Sequence, residues 1–410
     1  MKKFFFYFLI ILFSKTKNKK NDFKLDKIFE FNDNYTDVNT ILCENIKISG
    51  DSMFSNYPRN NTKKPTFVKI INKTEFAPWP NNYYNNGNWN ICSGFISIKD
   101  FEFDEDNNIY LLDEGNKECP IKLYKFDSKG NNIENFTIYK RNNDPPENVD
   151  TYNLVLDTIN DYAYISYKRS FNQSENAGIF SRNLKDKNTE TKELILNEKN
   201  FLIDENYIFP TTRNKIFFNI VLSCDGKYLL LCPLSSKMLY SIQTEKIREE
   251  NKQSISINQF NAAYKNDSSS SLISGNLGNL YFTGLENNVI YIAEQIEYDL
   301  AFFDFKILNK IENNYEPNEK PSKIFIHDGN LYIVYKYNNN DVNITKIYKT
   351  YIDNENSYVN KCEGLKYDLN IKSGIIWIFV LLMVIYIFFL SSIKNKQDRD
   401  INRNNKVKIK

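Results

Sequence analysis

One unit recurs along most of this chain: an apolar run, a tight turn, a second apolar run, and then a looser loop before a third run. The apolar runs are short and rich in aromatic and β-branched residues, and they are separated by Asn, Asp and Gly, which is typical of β-strands joined by turns. Clear hairpin turns fall at 104–108, 224–227, 275–279 and 327–330. Because no long amphipathic helical pattern interrupts these hairpins, we predict an all-β fold.

The spacing of the units indicates how the strands assemble. The units recur roughly every 40–60 residues, which is the spacing of the four-stranded blades of a β-propeller. Six units fit, and we predict a six-bladed β-propeller over residues 21–365. Blades pack face to face, so their strands are buried on both sides and read as apolar runs without strict alternation. The alternative is two β-sandwich domains, but the loop-like segments at 145–146 and 268–271 are short for a domain linker.

The N-terminus has the pattern of a secretory signal. Lys2 and Lys3 precede an uncharged apolar run from Phe4 to Phe13, which is too short to span a bilayer as a helix. We therefore predict a signal peptide within residues 1–20, whose cleavage position the sequence leaves open. A buried N-terminal strand is the alternative.

The C-terminal region has the pattern of a membrane anchor. Residues 374–393 contain no charge and are long enough to cross the hydrocarbon layer as a helix. Seven basic and two acidic residues follow in 394–410, and basic residues stay on the cytoplasmic side. We predict a transmembrane helix at 374–393, a cytoplasmic tail at 394–410 and a lumenal or extracellular body; a buried core helix is the alternative.

The body between these ends carries the features of a secreted domain. The two ends of the chain are basic, whereas the body contains more acidic than basic residues. An acidic body is a poor electrostatic match for a phosphate backbone, so we exclude nucleic-acid binding. All six cysteines lie in it, which favours disulfides in an oxidising compartment. It also contains glycosylation sequons. The sequons are at Asn34, Asn60, Asn72, Asn135, Asn172, Asn266 and Asn343.

Catalytic motifs are scarce in the sequence. The single histidine, His327, precedes an Asp-Gly turn and is expected to be a turn residue, with a site role as the alternative. There is no G-x-S-x-G elbow and no phosphate-binding glycine loop. Carboxylate oxygens in one turn could bind calcium, at Asp104, Glu105 and Asp106. We interpret this segment instead as a solvent-exposed turn. We expect neither a metal nor another cofactor.

Several motifs occur in the order found in one known family. They are Ile109–Gly115 (IYLLDEG), Cys119-Pro120, Tyr162–Ser166 (YAYIS), Leu231–Tyr240 (LCPLSSKMLY) and Gly329–Val334 (GNLYIV). Together they make the body resemble the major royal jelly and yellow proteins, which are secreted six-bladed propellers. The resemblance supports the fold, since most of these motifs serve packing and turns.

Departures from the family pattern concern its disulfides. Asp106 stands where the family usually has one cysteine, and the cysteine often found before the YAYIS strand is also missing. The resemblance therefore implies that Cys92 and Cys119 have lost their family partners and pair with each other. It also suggests that Cys43 and Cys362, which flank the propeller, form a bond that closes the ring.

Some members of the family are dopachrome-converting isomerases, and some bind biogenic amines in the central channel. The family's amine-contacting Asn follows its last G-N-L strand, where this chain has Tyr335 and Lys336. A Lys there would repel an amine cation, and the Asp after the family's A-Y-I-S segment is Tyr167 here. We expect a recognition or scaffold role with an unidentified protein or glycan partner. The alternatives are small-ligand binding with contacts at Tyr335 and Lys336, and, less favoured, an isomerase.

Overall fold

The computed structural model describes most of the body of the chain. The described residues are 25–32, 45–57, 65–72, 75–86, 92–141, 148–171, 174–196, 218–234, 236–249, 253–255, 261–265, 267–275, 279–295, 305–312, 320–339 and 342–352. The expected signal peptide, transmembrane helix and basic tail all lie outside them. Within the described ranges, no helix is both long enough and apolar enough to cross a membrane.

The strands form six sheets, which follow one another along the chain as the blades of a propeller. The first strand, β1 (Asp26–Asn32), belongs to the last blade. Blade 1 is β2 (Asn45–Ser49), β3 (Ser52–Asn56), β4 (Phe67–Ile70) and β5 (Phe76–Pro78), followed by a short helix, α1 (Asn82–Asn85). Blade 2 is β6 (Ile98–Phe103), β7 (Ile109–Asp113), β8 (Ile121–Phe126) and β9 (Asn132–Tyr139).

Blade 3 has five strands: β10 (Asn148–Asp157), β11 (Tyr162–Phe171), β12 (Ser174–Asn183), β13 (Lys192–Leu196) and, from later in the chain, β17 (Gln253–Ile255). Blade 4 is β14 (Phe218–Leu222), β15 (Tyr228–Pro233), β16 (Met238–Gln243) and β18 (Asn261–Tyr264), with α2 (Thr244–Glu249) after β16. Blade 5 is β19 (Leu272–Ser274), β20 (Asn279–Gly284), β21 (Val289–Gln295) and β22 (Phe305–Glu312). Blade 6 is β23 (Lys320–His327), β24 (Asn330–Asn339), β25 (Val342–Tyr351) and β1.

The ring is closed by β1, the first strand among the described residues. β1 pairs antiparallel with β25, with Asp26 opposite Lys349 and Asn32 opposite Ile344. At the centre, β2 of blade 1 contacts both β6 of blade 2 and β23 of blade 6. The first strands of successive blades therefore surround a common axis, and the prediction of a six-bladed propeller is confirmed.

Burial on both faces explains why the strands read as unbroken apolar runs. Along β15, Leu229 and Leu231 pack in a cluster that includes Tyr164 of blade 3. Leu230 and Cys232, which point the other way, pack in a cluster that includes Phe282 of blade 5. The β15 strand thus contributes to two inter-blade cores, one on each of its faces.

One connection departs from the simple repeat. After β16 the chain forms α2 and then β17, which pairs in parallel with β13 at the outer edge of blade 3 before the chain returns to blade 4 as β18. Arg248 of α2 fixes this excursion, because its guanidinium donates to the carboxylate of the buried Asp157 at 3.1 Å. The sequence pattern did not predict that β17 would pair with blade 3 between two strands of blade 4.

The cysteines are only partly as expected. Cys92 and Cys119 form a disulfide, with their Cα atoms 5.3 Å apart, which is the pairing inferred above. Cys43 and Cys362 lie outside the described residues. Cys224 is also disulfide-bonded, through a partner that is not among the described residues, and Cys232 carries a buried free thiol.

Candidate functional site

A central cavity of about 120 Å³ lies where the first strands of all six blades meet. Its lining combines apolar positions such as Ile48 and Phe103 with five ionisable side chains. The ionisable side chains are Lys47, Glu102, Glu105, Lys323 and His327. The volume is below the roughly 300–1,000 Å³ of pockets that enclose drug-sized ligands. Only a few waters or a molecule of about the size of benzene fit.

Asp100 on β6 is the polar centre beside this cavity. Its carboxylate is buried and accepts hydrogen bonds from Asn45 Nδ2 of blade 1 at 2.6 Å and from Asn153 Nδ2 of blade 3 at 2.9 Å. The backbone N–H groups of Leu154 and Phe101 donate to it at 2.7 and 2.9 Å. One side chain therefore joins blades 1, 2 and 3.

The direction of the pKa shift of Asp100 indicates the protonation state of its carboxyl group. Burial alone would raise the pKa of the carboxyl group, but the positive charges of Lys47 and Lys323 oppose it, together with the hydrogen bonds from Leu154 and Asn153. The net result is a pKa below the ordinary value, so the group is a carboxylate at neutral pH. Lys323 belongs to blade 6, and its charge therefore connects a fourth blade to Asp100.

Further side-chain hydrogen bonds near the axis link blade 3 to blade 4, blade 4 to blade 5 and blade 5 to blade 6. Asn153 Oδ1 accepts from the Ile220 N–H of blade 4 at 2.8 Å, and Asn219 Nδ2 donates to the Ser270 carbonyl of blade 5. Ser270 Oγ then donates to the Pro321 carbonyl of blade 6 at 2.9 Å. Blades 6 and 1 meet instead through an apolar cluster that includes Ile46 and Phe325. The polar groups near the axis hold neighbouring blades in register.

The Lys47 ammonium group forms an ion pair within the cavity lining. It donates to the Phe101 carbonyl at 2.7 Å and forms an ion pair with Glu102. Burial raises the pKa of Glu102, while the Lys47 charge opposes that rise. Both side chains line the cavity, so a ligand entering it would meet an ion pair that is already formed.

A second group of charges lies where β7 ends. Glu114 Oε2 is 3.4 Å from Lys99 Nζ, and its Oε1 accepts from the Thr151 N–H at 3.2 Å. Burial is the main reason that the pKa of Glu114 rises to about 7, and the nearby Asp150 carboxylate adds to the rise. Sequence reasoning missed this residue, because a Glu in a loop gives no local sign that the fold will bury it.

The predicted ligand contacts lie away from the cavity. Tyr335 is fully buried on the second strand of blade 6, with its ring 5.3 Å from that of Tyr348. It belongs to an inter-blade cluster that includes Tyr281 of blade 5. Neither Tyr335 nor Lys336 lines the cavity. Both lie on β24 and not on the strand nearest the axis, so the structure does not bring them together with Lys47 and Glu102.

The other candidate residues have identifiable surroundings. His327 lines the cavity, with its Nε2 3.3 Å from Asp328 Oδ2. Asp104 closes its own turn, accepting from the N–H groups of Asp106 and Asn108 at 3.1 and 2.8 Å. In the described ranges, no cluster of three or more His, Cys, Asp or Glu residues could hold a metal ion.

Two of the sequons can be placed on the surface. Asn72 and Asn135 are exposed, Asn72 after β4 and Asn135 on the outermost strand of blade 2. Asn343 lies in β25, and the remaining sequons, Asn34, Asn60, Asn172 and Asn266, are outside the described residues. Whether any of them carries a glycan stays a prediction.

Comparisons with known proteins add little beyond the architecture. No family model matches the sequence, and no curated protein matches it. Among solved structures, a luciferin-regenerating enzyme aligns over 83% of this chain and 99% of its own at 9% identity, with a TM-score of 0.47. The periplasmic gluconolactonase of Pseudomonas aeruginosa aligns over 69% and 77% at 9% identity with a TM-score of 0.43. Regucalcin, a calcium-binding protein of Agrobacterium tumefaciens, aligns over 78% and 94% at 9% identity, also with a TM-score of 0.43.

These values are too low to bear on what the chain does. The family resemblance to the royal jelly and yellow proteins stays a prediction.

Proposed function

We propose that this chain is a membrane-anchored propeller of the royal jelly and yellow type, lumenal or extracellular, that acts in recognition or as a scaffold. The propeller surface presents the partner-binding loops, and the C-terminal segment at 374–393 anchors it with the basic tail in the cytoplasm. The partner is a protein or a glycan, bound without a cofactor.

The recognition proposal rests on one observation: the polar groups near the axis are hydrogen-bonded between blades. The carboxylate of Asp100 binds side chains of two other blades, and Lys47 bridges blades 1 and 2. A catalytic acid or base needs to reach a substrate proton, which Asp100 cannot do while four donors occupy its oxygens. These contacts give Asp100 and Lys47 a structural role, and we therefore assign partner binding to the loops of the propeller.

Proximity labelling with the full-length protein tests this proposal. A labelling enzyme fused before residue 25, behind the signal segment, should mark one partner reproducibly. A matched control carries the same fusion on residues 366–410 only, so that proteins near the anchor are subtracted. A partner enriched over that control is the expected result, and labelling equal to the control contradicts the proposal.

Glycosidase digestion tests the placement of the propeller. Asn72 and Asn135 are exposed, so a lumenal or extracellular propeller should carry glycans at one or both. Asn72→Gln or Asn135→Gln should then remove one glycosidase-sensitive step in mass, according to which site carries a glycan. A full-length protein whose mass does not change on digestion would place the propeller on the cytoplasmic side.

The cavity favours small-ligand binding as a second candidate. Lys323 and the Lys47–Glu102 pair face a space that could accept a small carboxylate or amino acid. Two lysines and two glutamates line the cavity, so both a carboxylate and an amine find an opposite charge there. Thermal-shift measurements with small carboxylates, amines, sugars and calcium, on wild type and Lys323→Met, decide this. A shift that the variant loses supports a cavity ligand, and no shift with any compound removes this candidate.

A further inference from the structure

A buried lysine and a buried cysteine lie in contact where blade 4 packs on blade 5. Cys232 is at the end of β15, and Lys265 directly follows β18; both are fully buried. Lys265 Nζ lies 3.2 Å from the carbonyl oxygen of Pro233, the residue after Cys232, and the amine and the thiol are close enough for each to influence the pKa of the other. Lysine is almost never fully buried without a specific reason, and a carboxylate partner is the common one.

Backbone carbonyl groups hold the amine in place. Lys265 Nζ donates to the carbonyl oxygens of Ser236 at 2.6 Å and of Pro233 and Asp267, each at 3.2 Å. None of these oxygens carries a formal charge, so they orient the amine without neutralising an ammonium ion. Burial lowers the pKa of Lys265, which favours the neutral, nucleophilic amine.

The Cys232 thiol is buried beside a polar side chain. Burial raises the pKa of Cys232, so the group is a thiol and not a thiolate. Ser269 is fully buried beside it and interacts with the sulfur. The Ser269 hydroxyl forms no hydrogen bond to nitrogen or oxygen within the described part of the chain. A buried hydroxyl without such a partner is costly, and one more acceptor atom beside the sulfur would satisfy it.

The environment of the chain favours thiol oxidation. The Cys92–Cys119 disulfide is expected only where thiols are oxidised. Cys232 has no cysteine within the described residues to pair with, and its reactive neighbour is instead an amine.

We propose that Cys232 and Lys265 are a covalent modification site, at which dioxygen joins the sulfur and the nitrogen through one oxygen atom. The thiol, the amine and one O₂ give an S–O–N bridge and one water. The sulfur and the nitrogen each lose two electrons, and the four electrons reduce both oxygen atoms. One oxygen becomes the bridge, and the other leaves as water with one hydrogen from the thiol and one from the amine. The Ser269 hydroxyl can donate to the bridging oxygen.

The bridge would reversibly fasten β15 to the segment by which blade 4 contacts blade 5. Lys265 follows the last strand of blade 4, and its neighbour Asp267 accepts hydrogen bonds from the N–H groups of Glu286 and Asn287 in blade 5. Fixing Lys265 to β15 therefore also fixes the segment that docks onto blade 5.

Peptide mass spectrometry of the full-length protein tests the proposal. Protein purified in air is unfolded, alkylated and digested with trypsin without reductant. The expected product is a pair of peptides joined between Cys232 and Lys265, whose mass is the sum of the two plus one oxygen and minus two hydrogens. Trypsin does not cut after the bridged Lys265. Treatment with dithiothreitol should release the pair, restore the cut and expose one alkylatable thiol.

Matched variants give the controls. The joined peptides should be absent from both Cys232→Ser and Lys265→Arg. Lys237 is the comparison lysine: its ammonium group pairs with the Glu286 carboxylate at 3.3 Å, and it should stay unmodified. If a variant does not fold, the comparison of wild type with and without reductant remains decisive. A fully alkylatable Cys232, or Cys232 oxidised to sulfinic acid while trypsin still cuts after Lys265, would overturn the proposal.

Discussion

Asn45 of blade 1 donates a 2.6 Å hydrogen bond from its side-chain amide to the carboxylate of Asp100 in blade 2. These residues are 55 positions apart in sequence, and both are buried beside the axis. Asp100 in turn accepts from Asn153 of blade 3 and attracts Lys323 of blade 6. The contact between Asn45 and Asp100 is thus one part of a joint that involves four of the six blades.

Asp100→Asn should destabilise the propeller. The amide loses the negative charge that compensates Lys47 and Lys323 and presents an NH₂ group to donors, so we expect a loss of about 3 kcal/mol in the free energy of unfolding at pH 7. Because the pKa of Asp100 is below its ordinary value in the folded protein, this stabilisation is present above the unfolded pKa and is lost as the pH falls through the folded pKa.

Urea denaturation measures the difference at pH 7 and again at acidic pH. Asp127→Asn is the control, because that carboxylate accepts only from Lys129 and Asn131 within its own turn. Equal effects of the two substitutions at pH 7 would show that the inter-blade contacts of Asp100 contribute nothing.

Glu114 should make stability depend on pH near neutrality. Its pKa is about 7 in the folded chain against 4.5 for an ordinary Glu, so the folded state keeps a proton that the unfolded state has lost. Stability therefore falls as the pH rises from about 4.5 to 7. Glu114→Gln should remove this component, which we expect to be about 1–3 kcal/mol. Unfolding measured across pH 4.5–8 tests this, with the exposed Glu118→Gln as control; identical profiles for both variants would contradict the assignment.

Gly178→Ala tests packing inside blade 3. A Cβ atom at Gly178 would overlap with the Leu194 carbonyl oxygen and with the Tyr167 hydroxyl, which donates to the buried Glu193. Since neither neighbour can move freely, we expect a loss of at least about 1–3 kcal/mol in the free energy of unfolding. Gly50→Ala is the comparison: it has no atom within 4 Å of the added Cβ, so only its left-handed backbone is penalised. A Gly178→Ala protein as stable as wild type would mean that this contact is wrongly described.

Disulfide mapping by mass spectrometry should find two disulfide-bonded pairs of peptides. We expect a peptide pair joining Cys92 with Cys119, whose 27-residue separation makes the bond worth about 3–4 kcal/mol. Cys224 should appear in a second pair. Cys232 forms no disulfide within the described part of the chain, so it should appear in neither of these pairs. A disulfide that joins Cys92 to a cysteine other than Cys119, or any disulfide at Cys232, would contradict this assignment.

The hairpins and their order could be predicted because the information is local. Runs such as Leu331–Tyr335 and the Asp-Gly turn before them fix a strand and a turn within a few residues, and β23 and β24 lie where they were expected. The Cys92–Cys119 pair also followed from the sequence, through the absence of family cysteines.

What the sequence did not indicate depends on residues that are distant in the chain. The pairing of β1 with β25 joins the two ends of the propeller, and β17 leaves blade 4 to extend blade 3. The same limit applies to the surroundings of Tyr335. Tyr335 is apolar enough for an inter-blade core, and only the blade geometry shows that it faces blade 5 and not the axis.

A double-mutant cycle between Asp100 and Lys323 tests the central claim that charges at the axis bind the blades together. The free energy of unfolding is measured by urea denaturation at pH 7 for wild type, Asp100→Asn, Lys323→Met and the double variant. If the two charges attract across the axis, the double variant loses less stability than the two single losses combined, by about 1 kcal/mol or more. Strictly additive losses would show that blades 2 and 6 are not coupled through these residues.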